Sequence, residues 1–180
     1  MNRSNVLLLI GLAKISLAAQ GPSSDAGTLI VRQAGAVVGH EDFQVRRDGS
    51  GWTLSTTSYW GASSTVILAV LTPRRVTIRV SGSGGERARE LPVGGTLIVD
   101  DSAFAFLALA VDYPAGATRI ANPRTGARMD GTISDRGGTP DGGRQVEVDV
   151  GGVVVQVWYD RDGRLLRAHI PSRDLEVTRQ

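Results

Sequence analysis

From residue 28 onward, apolar and polar residues alternate in short segments separated by glycine-bearing turns, and that period of two constrains the fold more than any other feature. "TLIVRQ", "VVGHEDFQVRR", "WTLSTTSYW", "TVILAVL" and "RRVTIRV" come first. "ERARELP", "GTLIVD", "TRIANP", "ARMDGTISD", "RQVEVDV", "VVVQVWYD", "RLLRAHI" and "RDLEVTR" follow. Alternation of this kind puts one face of a strand in a core and the other in water. Connections such as Asp48-Gly49, Gly84-Gly85, Gly151-Gly152 and Asp162-Gly163 are short enough for hairpins, so consecutive strands should pair antiparallel as a meander. About a dozen strands in one sheet accumulate twist and leave edges to manage. The expected fold class is therefore mainly β, a meander curled into a closed or half-open barrel, with a two-sheet sandwich as the alternative.

One stretch breaks the pattern. "VDDSAFAFLALAVDY" (Val99 to Tyr113) is almost wholly apolar, with Phe104, Leu107, Ala108 and Val111 at helical spacing and Pro114 behind it. The spacing predicts one α-helix over Ser102–Asp112, with Asp101 or Ser102 as its N-cap. Phe106, Leu109 and Ala110 fall on its other side, so the helix is apolar all round and has to be covered on most sides. Among curling strands such a helix serves as a lid or plug, or as a plain core element with no cavity beside it.

At 180 residues the chain suits a single domain with a real core. Arg3, the apolar run Val6–Ala13, and Ser16 and Ala18 before a polar leader read as a signal peptide over residues 1–18. A flexible leader over 19–27 and a barrel-like domain over 28–180 complete the expected organisation. Loss of Arg3 and Lys14 leaves 18 basic against 18 acidic residues, a neutral domain with no electrostatic footprint for nucleic acid. The absence of cysteine excludes disulfides, thiolate metal sites and a lipidated N-terminal cysteine. The expected location is the periplasm or the exterior of a bacterium, with no membrane span.

"RQAGAVVGHEDFQVRRDGSGWTLSTTSYW", "GTLIVDDSAFAFLALAV" and "VWYDRDGRLLRAHIPSRDLEVTR" resemble a group of bacterial exported proteins of unknown function. In that group a G-x-x-x-G-x-E hairpin, matched here by Gly35, Gly39 and Glu41, opens a barrel-like antiparallel sheet. The meander-plus-helix plan also resembles, in architecture only, the half-barrel carriers that move lipoproteins across the periplasm. None of those carriers' sequence signatures is present.

Alternation then assigns faces. Val37, Gly39, Phe43 and Val45 point inward with Glu41 among them, unless a bulge at Gly39 flips the register or an inward arginine pairs with the carboxylate. Trp52, Leu54, Thr56, Ser58 and Trp60 form a second inward row with hydroxyls between aromatics, and Val153, Val155, Val157 and Tyr159 a third. These rows could line an amphipathic pocket or simply pack the core. Glu41, Phe43, Trp52, Leu54, Thr56, Ser58, Trp60, Phe104, Leu107 and Tyr159 are the candidate ligand-binding residues. His40 and His169 fall on outer faces, Leu166, Ala168 and Ile170 taking the inner row of the latter's strand. No catalytic constellation, phosphate loop, calcium loop or metal cluster is legible, so no cofactor or metal is expected. The reading is an exported module holding a small apolar or lipid-like ligand. The alternatives are an envelope structural or protein-interaction module with a solid barrel, and, with least support, an enzyme using Glu41 as general base.

Overall fold

A computed structural model describes residues 24–49, 51–92 and 96–180. The expected signal peptide, and residues 19–23 of the expected leader, lie outside the described residues. The described chain forms a single sheet of thirteen strands: β1 (Ser24–Gln33), β2 (Ala36–Asp48), β3 (Gly51–Trp60), β4 (Ser63–Leu71), β5 (Arg75–Gly82), β6 (Gly85–Pro92), β7 (Thr96–Ile98), β8 (Gly116–Ala121), β9 (Arg128–Gly138), β10 (Arg144–Val150), β11 (Val153–Tyr159), β12 (Leu165–Ile170) and β13 (Leu175–Arg179). Each expected segment contributes one of them. The first begins at Ser24, so residues 24–27, expected as leader, are strand and pair with Phe43–Arg46 of β2.

Strand order is β6-β5-β4-β3-β2-β1-β13-β12-β11-β10-β9-β8-β7. Two meanders are thus joined where the first and last strands pair, Leu29 opposite Arg179. All pairings are antiparallel except the last, where β7 runs parallel to β8 with Leu97 beside Ile120. That departs from a pure meander because the central helix carries the chain back between β7 and β8, making a crossover where a hairpin would reverse it. The edge strands β6 and β7 remain unpaired with each other among the described residues, and the barrel is half-open.

The concave side buries Leu29, Val31, Leu54, Ile67, Ile78, Val148, Val157 and Val177 to within about 1% exposure, so alternation set the inner face as expected. Two bulges shift it. β2 carries one extra residue between Val37 and Gly39 opposite Val31/Arg32 of β1, and Val37, expected inward, is 62% exposed. β12 carries an extra residue opposite Trp158/Tyr159, so Leu165 takes the inner position expected for Leu166. Beyond the first bulge Gly39, Glu41, Phe43 and Val45 share the inner row.

The apolar stretch spans Phe104–Asp112, and it is a 3₁₀ helix where an α-helix was expected. Nine residues at about 2.0 Å rise cover about 18 Å, against about 13.5 Å in an α-helix. The narrower, more extended coil therefore crosses more of the concave face. Runs of 3₁₀ helix beyond about four residues are uncommon because their hydrogen bonds are poorer. Here packing compensates, since all eight residues from Phe104 to Val111 are buried.

Gly39 is where a side chain has no room: a Cβ would lie 2.4 Å from the Tyr59 carbonyl oxygen across the β2–β3 ladder. Gly39→Ala should therefore destabilise the chain by about 2–3 kcal/mol, read from the urea midpoint. Gly84→Ala, at a turn with nothing within 4 Å, should change it by less than about 0.5 kcal/mol.

Candidate functional site

The central helix is fastened to the sheet by polar groups at both ends and in its middle. At its start, the Glu41 carboxylate on β2 accepts the backbone N–H of Phe104 (Oε2, 2.6 Å) and of Ala105 (Oε1, 3.1 Å), and the Thr56 hydroxyl of β3 donates to Oε1. An N-terminal 3₁₀ or α turn leaves such N–H groups orphaned, and the partial positive charge there favours an anion. The expected cap from Asp101 or Ser102 is replaced by this long-range one. Asp100 instead accepts from the Ser102 N–H and hydroxyl and from Arg124 Nε, 2.8 Å away, while Asp101 reaches Arg173 at 3.3 Å. Those two acids shape the turn before the helix.

Further along, the Tyr159 hydroxyl donates to the Leu107 carbonyl at 2.6 Å, and Arg144 Nη1 donates to the Val111 carbonyl at 3.2 Å. A cation at the carbonyl end mirrors the carboxylate at the amide end. Tyr113 donates its hydroxyl to the Thr96 carbonyl at 2.7 Å, tying the exit to β7, and Trp60 Nε1 holds the Ser102 carbonyl at 3.0 Å. Burial pushes both Tyr113 and Tyr159 up from the ordinary phenol value, Tyr113 to about 12, so both hydroxyls stay protonated donors.

Glu41 is 1% exposed. Burial pushes its carboxyl up, the Thr56, Phe104 and Ala105 donors pull it back, the Asp100 charge adds a smaller push, and the balance lies at about 7. The inward arginine weighed for it in the sequence is absent from its hydrogen bonds. Ser58, opposite Glu41 on β3, is equally buried and its hydroxyl has no hydrogen-bond partner among the described residues.

A cavity of about 200 Å³ lies beside the first half of the helix. Phe104, Phe106, Leu107, Ile120, Val153 and Val155 give it apolar walls, while Asp100, Asp101, Asn122 and Arg173 stand at its polar side. Of the ten residues selected from sequence, Phe104 and Leu107 line it. Glu41, Thr56, Trp60 and Tyr159 hold the helix, as described, and Phe43 and Leu54 are buried in the core. Ser58 faces Glu41. Trp52 lines a separate cleft at the other end of the helix with Leu71, Pro73, Leu109 and Tyr113.

No protein-family model matches this sequence, and no curated protein matches it. One solved structure is similar in fold. It is the beta-barrel-like protein of domain of unknown function DUF1849 from Brucella abortus, with a TM-score of 0.43 and 8% identity over 87% of this chain and 94% of that one.

The cavity residues that sequence reasoning missed include Phe106, Ile120, Met129, Val153, Val155, Ile170, Asp100, Asn122 and Arg173. Val153 and Val155 were visible as an inward row. The others come from the helix and the turn before it (Phe106, Asp100), β8 and the turn after it (Ile120, Asn122), β9 (Met129), the end of β12 (Ile170) and the turn before β13 (Arg173), and no local signal says which inward rows meet one another. Among the described residues no group of three or more metal-ligating side chains is assembled, and no helix is long and apolar enough to cross a membrane. His40 stacks on Tyr59 on the outer face at 4.3 Å between ring centres.

Between pH 4.5 and 7 the folded chain binds a proton at Glu41 that the unfolded chain releases. Its contribution to stability is therefore fully present below pH 4.5 and is lost as pH rises through 7. Denaturant unfolding should show a decline of up to about 3 kcal/mol between pH 5 and 8, and Glu41→Gln should flatten that slope.

Proposed function

We propose that this chain is an exported binding module, bacterial and periplasmic or secreted, that takes a small apolar or amphipathic ligand into the half-open barrel beside the central helix. One observation carries the reading: the apolar cavity of about 200 Å³ under Phe104 and Leu107, bordered on one side by charged and amide groups. Apolar walls with a few convergent polar groups are the usual composition of a ligand site. The volume falls below the ~300–1,000 Å³ of sites for drug-sized molecules, so the occupant is a short chain or the end of a longer one. Export rests on the sequence of residues 1–18 and is part of the proposal.

The test uses a tryptophan that neighbours the cavity wall. Trp60 sits 6.3 Å from the Phe104 ring, and Phe104 lines the cavity wall. Titration with a medium-chain fatty acid should change tryptophan fluorescence saturably, and Val153→Phe, which fills the space from a half-buried position, should weaken binding by at least tenfold. No saturable change in the unaltered chain, or equal binding by the filled variant, removes the reading.

A second reading is a packed interaction module without ligand. It is favoured by the burial of every residue from Phe104 to Val111, which leaves the middle of the concave face filled. It expects a folded chain indifferent to every apolar ligand tried.

A further inference from the structure

The open seam of the barrel carries guanidinium groups that neither reading uses. β6 is an edge strand, and its register places Arg87 opposite Val80 and Arg89 opposite Ile78, on the same face as Leu91 opposite Val76. Ile78, Val76 and Leu91 are buried, so Arg87 and Arg89 stand on the concave side of the edge. Glu86 and Glu90 alternate to the other face, where Glu90 pairs with Arg75 at 3.1 Å. No ion pair among the described residues takes Arg87 or Arg89.

Across the seam lies the turn Asn122–Ala127, closed by the Asn122 side-chain oxygen, which accepts the N–H groups of Arg124 and Thr125. The turn bridges to the first half of the sheet: Arg124 Nη1 reaches the Thr65 hydroxyl of β4 at 3.4 Å, and a Cβ on Gly126 would lie 2.8 Å from Arg89 Nη1. Arg87, Arg89 and Arg124 therefore line one open cleft of about 220 Å³, together with Ser83, Gly84 and Pro123. Asp100 neutralises Arg124 from behind. Two positive charges are left uncompensated in a concave wall, which concentrates their field on an incoming anion.

We propose that this cleft is a binding site for a phosphoryl group, with Arg87 and Arg89 as its charged arms. Each guanidinium presents a planar fork of donors. A carboxylate is satisfied by one fork, whereas the three terminal oxygens of a phosphoryl group accept from two. The group belongs either to a free phosphorylated compound or to a phosphomonoester lipid headgroup, and Arg87 and Arg89 are not among the residues that line the apolar cavity.

The experiment titrates the whole chain with inorganic phosphate at low ionic strength while following the arginine side-chain N–H signals by NMR. Signals of Arg87 and Arg89 are expected to move saturably. R87Q/R89Q should bind at least tenfold more weakly, and Arg161→Gln, in the β11–β12 turn, should bind as the unaltered chain does. Arg89→Lys, which keeps the charge and loses the fork, is expected to fall between them and serves if the double variant fails to fold. Flotation with vesicles then separates the sources. Recruitment to vesicles containing phosphatidic acid, a phosphomonoester lipid, over phosphatidylcholine alone, lost in R87Q/R89Q, assigns a headgroup, and a phosphate response without recruitment assigns a free compound. No saturable response to phosphate, or an equal one in R87Q/R89Q and Arg89→Lys, overturns the site.

Discussion

A single buried carboxylate sets the relation between helix and sheet. Glu41 sits in the middle of an otherwise apolar inner row, between Gly39 and Phe43, and its two oxygens meet the first free amides of the central helix. Hydrogen bonds from backbone amides to a buried carboxyl act only along particular directions, and leaving those amides without an acceptor would cost roughly 1–3 kcal/mol each. Hydrophobic burial alone would accept the helix in many positions, because the segment is apolar on every side. The carboxylate and, at the other end, Arg144 select one of them.

That selection has consequences for the rest of the interior. With its start fixed at Glu41 and its exit tied through Tyr113 to β7, the helix spans the concave face in an extended 3₁₀ form. Its first turn leaves a gap against β8, β9 and β11, the apolar cavity, and its passage forces β7 to run parallel to β8. Among the described residues the sheet consequently ends in two edges that do not pair with each other. One is only three residues long, and the other carries Glu86, Arg87, Arg89 and Glu90. Short or charged edges resist pairing with another chain, and the inward members of the charged set are also the ones that crowd the seam.

Much of the fold was legible because strand alternation and hairpin turns are local properties. All thirteen segments could be read from period and glycine position, and the inward placement of Glu41, Phe43, Thr56 and Ser58 followed from counting by two. Where a bulge interrupts the count, as at Val37 and Leu166, the reading slipped by one residue; the extra residue is a property of the pair of strands, and one strand by itself does not reveal it. The α-helix expected over Ser102–Asp112 is a 3₁₀ helix over Phe104–Asp112, a difference the sequence did not show, since an all-apolar segment carries no contrast from which its period can be read. The site was legible in part. Phe104 and Leu107 border the cavity, but Leu54 and Phe43 fill the core and Trp52 lies at the far end.

By itself, then, the chain's order of residues determined that a long ribbon of hairpins would form, which face of it would be greasy, and that one apolar segment would need covering. Those follow from interactions between neighbours a few residues apart. Only the tertiary structure decided what caps that segment, since Glu41 and Phe104 are 63 residues apart, and which rows enclose a cavity or gather Arg87, Arg89 and Arg124 at one seam. Such meetings depend on how far the sheet curls, a sum of small twists over thirteen strands.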